Sequence, residues 1–257
     1  MREAQVRAVL DEVTASIAGR PDGAVAAFDG DGTLWSGDVG EDFFHAFVTE
    51  GDFRPPAVAA LAATARAHGL ADDGDGRTLA QRVFTAYEQG AFPEQTICEV
   101  IAWAPAGRTW AEYRAFFEER YPRAAMQARL HEETAALVEG IRALGVEAFL
   151  VSASPKPVVE SAARAIGIAA DHVVAAEPIV GADGTVLAAV DAPIPYGAGK
   201  VRRLRERIGA RELVVACGDN AFDEELLREA RIGCAVRPKP RLVAIADRIP
   251  GLRILRR

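Results

Sequence analysis

Asp29 and Asp31 stand two residues apart, directly after the apolar run Ala24-Val25-Ala26-Ala27-Phe28, with Gly30, Gly32 and Thr33 around them. Such a segment has two readings. One is a tight turn rich in aspartate and glycine. The other is chemistry, in which Asp29 attacks phosphorus as a nucleophile. Asp31 then protonates the leaving oxygen and later activates water against the acyl phosphate. The glycines let the backbone turn sharply and keep side chains away from a phosphate.

Clustered carboxylates repel one another and an anionic substrate unless a hard cation neutralises them. Magnesium suits that part, because it binds through one or two carboxylates plus substrate oxygens and retained waters. Asp219 is the further protein ligand, arriving after a separate apolar run; its alternative is an N-cap for the helix that begins near Asn220. Lys200 opens a basic helix that also holds Arg202, Arg203, Arg205 and Arg207. Such a lysine is ordinarily solvated, but the approach Gly197-Ala198-Gly199 allows it close to a ligand, where its charge would balance the nucleophile and a phosphoryl oxygen. Ser152 follows another apolar run and offers its hydroxyl to the same phosphoryl group. The amide of Ala153 offers a second hydrogen bond, and Pro155 begins a helix whose dipole faces the site.

These residues need elements to position them. Val6, Val9, Leu10, Val13 and Ile17 recur at helical spacing and predict an amphipathic first helix. Arg20-Pro21-Asp22-Gly23 is a turn signal before the buried strand 24–28. From about Ser36 to Pro122 the pattern is helical, and the aromatic residues concentrate there: most of them, Phe43, Phe44, Phe47 and Tyr113 among them, belong to the core of a small helical domain, with one or two lining a ligand cleft. From Glu132 onward helices alternate with short apolar strands at Val146–Val151, His172–Ala175, Leu213–Cys217 and Ile232–Val236. Residues 177–190, broken by Gly181-Ala182-Asp183-Gly184, predict a β-hairpin. The alternation predicts an α/β fold, with a Rossmann-like doubly wound parallel sheet and helices on both faces. In such sheets ligands bind beyond the carboxyl ends of the strands, which is where the residues above fall.

A chain of 257 residues, 50% hydrophobic and 26% charged, has ordinary globular composition. Its formal charge of −7 argues against nucleic acid or anionic membrane as a partner. An anionic substrate therefore needs a locally positive pocket. Cys98, Cys217 and Cys234 sit in apolar runs without metal-ligand spacing and read as buried free thiols, in keeping with a cytoplasmic protein. The amino terminus has the pattern of neither a signal peptide nor a membrane anchor. Asp72-Asp73-Gly74-Asp75-Gly76 lacks the register of a calcium loop and reads as an exposed loop. His45, His68, His131 and His172 are scattered singly and read as surface or capping residues.

Taken in order, four motifs resemble the haloacid dehalogenase superfamily: Asp29-Gly30-Asp31-Gly32-Thr33, Ser152, Lys200, and Gly218-Asp219 with Asp223. The long helical insertion after the first motif and the hairpin before Lys200 resemble the phosphoserine-phosphatase-like branch. The resemblance implies residues 1–35 and 123–257 as the α/β core and 36–122 as a helical cap that opens and closes over it. It implies Asp29 as nucleophile and magnesium ligand, Asp31 as acid/base with its backbone carbonyl on the metal, Asp219 completing the coordination, and Asp223 orienting Lys200 or a metal-bound water. The implied function is a magnesium-dependent phosphatase acting on a small phosphomonoester, phosphoserine or another aminated alcohol phosphate.

Four positions depart from the phosphoserine phosphatase pattern. Asp38 stands where those enzymes carry a glutamate associated with the substrate amine; it faces an aminated alcohol or is a solvated or capping residue. Ala153-Ser154 replaces two glycines after the serine, and Phe222 replaces an asparagine. A phosphotransferase using the same aspartyl phosphate, a non-catalytic phosphate-binding module and a dehalogenase are the competing readings. The last is disfavoured because displacement at carbon has no use for Asp31 or a metal.

Overall fold

The computed structural model describes residues 2–17 and 21–255. Arg20, where the first turn was expected to begin, lies outside them, and Pro21–Gly23 forms a single 3₁₀ turn. The strands are β1 (Ala24–Phe28), β2 (Glu147–Pro155), β3 (Val173–Ala176), β4 (Pro178–Val180), β5 (Val186–Val190), β6 (Glu212–Gly218), β7 (Ile232–Val236) and β8 (Arg253–Leu255). Six of them form one parallel sheet in the order β3-β2-β1-β6-β7-β8, and β4 and β5 form a separate antiparallel hairpin.

Both faces of the sheet are covered, which a parallel sheet requires. Alternate residues of β1 go to opposite sides. Ala24, Ala26 and Phe28 join Val9 and Val13 of the helix Arg2–Ile17 and Leu137 and Ile141 of the helix Glu132–Ala143. Val25 and Ala27 join Leu204 and Ile208 of the helix Ala198–Ile208, and Leu226 and Leu227 of the helix Glu224–Glu229. The predicted first helix thus buries Val6, Val9, Val13 and Ile17, as its spacing dictates, while Leu10 stays half-exposed.

Between β1 and β2 lie the helices Val39–Glu50, Pro55–Ala67, Gly76–Glu88, Glu94–Trp103, Trp110–Arg120 and Arg123–Gln127. Several of these starts have an evident local cause. Asp75 caps the helix it precedes through the Thr78 amide, Thr109 and Glu112 form a reciprocal capping box, and Pro55 stands where a missing N–H costs nothing. Phe43, Phe44, Phe47, Tyr113 and Phe117 are buried among these helices, in an apolar cluster that runs without interruption into the face of β1 carrying Phe28. The hairpin is joined to the same helical layer: the Gly107 amide donates to the Val186 carbonyl at 2.7 Å, and the Val186 amide to the Arg108 carbonyl at 2.7 Å. No helix among the described residues is long and apolar enough to cross a membrane.

Candidate active site

Strand order places the site. β1 is flanked by β2 on one side and β6 on the other, so the chain departs in opposite directions at its carboxyl end and leaves a crevice there. The Asp29 amide donates to the Cys217 carbonyl at 2.9 Å, which sets Asp29 level with the end of β6. Ser152 falls two residues past Leu150, the β2 partner of Phe28.

The turn after β1 is built on the Gly30 carbonyl, which accepts from the amides of Thr33, Leu34 and Trp35. Gly32 lies at φ +81°, a conformation that side chains resist, and a Cβ there would lie 2.1 Å from Asp219 Oδ2. Gly32→Ala therefore displaces Asp219; on the expectation of a magnesium-dependent activity here, turnover should fall about 10²-fold and its magnesium titration should shift to higher concentration. Gly23→Ala, where a Cβ meets nothing within 4 Å, is the control. Equal magnesium titrations for the two variants would contradict this account of the turn.

Asp29 is 3% exposed and its two oxygens have separate partners. Oδ1 receives Lys200 Nζ at 2.6 Å, and Oδ2 receives the Thr33 hydroxyl at 2.9 Å. Lys200 is fully buried and also donates to Asp223 Oδ1. The other Asp223 oxygen takes the amides of Asp219 and Asn220, each at 3.0 Å. Asp223 is thereby spent on holding the lysine and the loop. Burial raises the Asp29 carboxyl well above the ordinary range, Lys200 opposes this, and Asp223 and Asp219 add to it. Burial, with Asp223, also pushes Asp219 up to about 6 although Lys239 opposes. In the metal-free protein a proton competes for Asp219 below about that pH.

Asp31 is held by four donors. Trp35 Nε1 and the Val39 amide reach Oδ1 at 2.8 and 2.7 Å, and the Ser154 and Ser152 hydroxyls reach Oδ2 at 2.7 and 3.3 Å. The Val39 amide belongs to the first turn of the helix Val39–Glu50, so this helix start is tied to the carboxylate. Gly40 permits the approach, since a Cβ there would lie 2.7 Å from the Ser154 hydroxyl.

Oxygens of Asp29, Asp219 and Asp223 lie within 4.8 Å of one another. Asp219 Oδ1 is buried without a hydrogen-bond partner, while Oδ2 pairs with Lys239 Nζ at 3.0 Å. A buried, orphaned carboxylate oxygen beside a second buried carboxylate is a donor set suited to a hard cation such as magnesium. Asp223, whose oxygens hold Lys200 and the amides of Asp219 and Asn220, fits the orienting part. Asp219 does not cap the following turn; Asn220 does.

The expected residues Asp29, Asp31, Ser152, Ala153 and Asp38 line one cavity of about 370 Å³, with Asn220 and Phe222. Lys200 and Asp223 lie behind its floor, on Asp29. Asp38 caps the helix it precedes, its side chain accepting from the Glu41 amide at 2.8 Å, and it also lines the cavity. Burial, then the nearby Asp31, raises its carboxyl well above the ordinary range. Cys98 is only half-buried and lines the cavity, unlike the fully buried Cys217 and Cys234. His131 is buried, not a surface residue, with its Nδ1 3.1 Å from the Thr33 carbonyl.

Sequence reasoning missed Trp35, Ser154, Lys239, Glu41, Glu94 and Tyr196, all of which contact these groups or line the cavity. Trp35, Glu41, Ser154 and Tyr196 carried a signal, each being within four residues of an expected site residue. Lys239 and Glu94 did not.

A parallel α/β sheet with an aspartate–lysine–aspartate cluster at its switch point defines a hydrolase class. Residues 26–228 match the model of the haloacid dehalogenase-like hydrolases, and the chain belongs to that family. A phosphoserine phosphatase of Halobacterium salinarum is 32% identical over 174 residues, which cover 66% of this chain and 82% of that protein. A Bordetella pertussis Tohama I protein of unknown function shares the fold at TM-score 0.67 and 24% identity, over 90% of this chain and 97% of its own. A phosphoserine phosphohydrolase-like protein from Francisella tularensis shares it at TM-score 0.53 and 16% identity, over 89% and 94%.

Proposed function

We propose that the protein is a magnesium-dependent phosphatase that hydrolyses a small phosphomonoester, phosphoserine or another aminated alcohol phosphate, through a phospho-aspartate on Asp29. The observation that carries this is the Asp29 carboxylate itself: buried, oriented by Lys200 and Thr33, and open to the cavity where Asp31 also lies. Asp29 and Asp219, with the backbone carbonyl of Asp31, are the groups that would hold the cation. When bound, it would neutralise the carboxylates and draw charge from the phosphoryl oxygens.

The chain's own residues do the rest. An Asp29 oxygen forms a bond to phosphorus as the bond from phosphorus to the alcohol oxygen breaks, and Asp31 gives its proton to that oxygen. Asp31 then takes a proton from water, which attacks phosphorus, releases inorganic phosphate and restores the Asp29 carboxylate. Both serine hydroxyls on Asp31 can turn from donor to acceptor, so the network accommodates either protonation state. Ser152 and Ala153 line the cavity, and their hydroxyl and amide are the groups that would donate to the phosphoryl oxygens, the Ser152 hydroxyl by turning from Asp31. Asp223 keeps Lys200 directed at Asp29. The division into a core of 1–35 and 123–257 and a cap of 36–122 that opens and closes over it belongs to the same reading, and the Val39 amide ties the start of the cap to Asp31. The cysteines, all unpaired, suit a reducing cytoplasm.

The test is phosphate release from phosphoserine, phosphocholine, phosphoethanolamine, sugar phosphates and nucleotides, after chelation and after magnesium is restored. We expect chelation to stop turnover and magnesium to recover it. Chloride release from a haloacid without metal would support the dehalogenase instead. A second phosphorylated product formed from added alcohols would support the phosphotransferase.

A further inference from the structure

The cavity beyond the phosphoryl site has an unusual lining for an enzyme that handles an anion. Its distal wall carries Asp38 and Glu41 at the start of the helix Val39–Glu50, and Glu94 at the start of the helix Glu94–Trp103. Among the described residues that line it the one cation is Lys239, which is committed to Asp219 at the phosphoryl end. None of those described residues is an arginine.

Three aromatic rings complete the wall: Tyr87, Tyr196 and Phe222. Both phenols stand near carboxylates. The Tyr87 hydroxyl donates to Glu41 Oε1 at 3.2 Å, and burial together with the nearby Glu94 charge raises the Tyr196 phenol. Tyr196 and Phe222 pack with ring centroids 5.1 Å apart at 34°. Glu94 is also met from outside by Arg241 Nη1 at 3.5 Å, but that side chain is 76% exposed and the pair is screened by solvent. Tyr87 thus presents a ring while its phenol steadies a carboxylate.

Carboxylates alternating with aromatic faces in a partly desolvated cavity form a cation site, since ring faces and carboxylates attract the same charge. A substrate carboxylate directed at Glu41 and Glu94 would meet like charge, and the cations nearest the cavity are already paired: Lys239 with Asp219, and Lys200, whose Nζ also lies 4.9 Å from the Phe222 ring centroid, with Asp29 and Asp223. We propose, on the basis of the phosphatase reading above, that the leaving alcohol carries an alkylammonium group and no carboxylate. Glu41 and Glu94, with Tyr87, Tyr196 and Phe222, are the residues that select it. A free amino alcohol phosphate and a quaternary ammonium ester share this chemistry and are separated by the test. Phosphoserine, with its carboxylate, becomes a poor substrate, in contrast to the phosphoserine phosphatase of Halobacterium salinarum.

The experiment compares kcat/KM of the magnesium-loaded protein for phosphoethanolamine, phosphocholine, phosphoserine, and 3,3-dimethylbutyl phosphate, the neutral isostere of phosphocholine. An aryl phosphate serves as a general phosphatase substrate. We expect an ammonium ester to exceed both the neutral isostere and phosphoserine by about tenfold or more, the size of one desolvated charge contact. Preference for phosphoethanolamine assigns direct carboxylate hydrogen bonds; preference for phosphocholine assigns the aromatic faces. The ratio of ammonium ester to neutral isostere should shrink toward one in Glu41→Gln/Glu94→Gln. Because that ratio is taken within one protein sample, partial loss of folded material does not alter it. Turnover of phosphoserine or the neutral isostere as efficient as that of the ammonium esters overturns the inference and leaves the phosphatase reading standing. No turnover of any ester, the aryl phosphate included, overturns the phosphatase reading itself.

Discussion

Asp29→Asn should lower magnesium-dependent turnover by about 10⁴-fold or more, because an amide cannot form the phosphoryl ester on which both half-reactions depend. The fold should survive. Asn has the same shape, Lys200 keeps its bond to Asp223, and the Thr33 hydroxyl can turn from donating to accepting. Removing one carboxylate also relieves repulsion with Asp219 and Asp223, which both press on Asp29. The melting temperature should therefore hold or rise slightly. Substantial residual activity in a well-folded variant would place the nucleophile elsewhere.

Lys200→Met should damage both activity and stability. The ammonium group is fully buried and bonded to Asp29 and Asp223, so its loss leaves two buried carboxylates without their cation. Breaking one side of a buried pair costs about 3–5 kcal/mol. In a chain of this size that is a fall in melting temperature of about 10 °C. Lys200→Met combined with Asp223→Asn removes one stranded charge, and should recover part of the stability and none of the activity. That split distinguishes a lysine needed at the reacting centre from one that only steadies the fold. A single Lys200→Met variant that melts and turns over as the parent does would contradict the arrangement.

Much of the core could be read from sequence because its strands are short apolar runs with chemistry at their ends. Asp29, Ser152 and Asp219 each follow such a run, and parallel strand order then brings them to one edge. The boundaries were less legible. β2 continues through Ser152 to Pro155 because Pro155 pairs with Ala176 after a register shift, where a proline had suggested only a helix start. β8 was missed: Arg253–Leu255 is three residues long at the sheet edge, too short for alternation to show.

The cavity wall was hard to read for a different reason. Glu41, Tyr87, Glu94 and Tyr196 come from separate helices and a loop, and only their packing turns them to one space. Charged residues at helix starts ordinarily read as helix-dipole partners facing water, which is what Glu41 and Glu94 look like in sequence. His131 was misjudged similarly. A lone histidine before a helix looks like a cap, yet this one is buried beneath the turn that shapes Asp29 and Asp31, near the Thr33 carbonyl. The net charge of −7 gave no hint that several of its acids gather in the substrate cavity.

The most direct test of the central claim is to mix the magnesium-loaded protein with a turned-over ester, quench it in acid during the steady state and locate phosphate by peptide mass spectrometry. The account predicts an acyl phosphate on the peptide containing Asp29, labile to base and hydroxylamine and missing in Asp29→Asn. Phosphate on another side chain, or full turnover with no phosphoenzyme at any quench time and water oxygen entering the product in a single displacement, would contradict it.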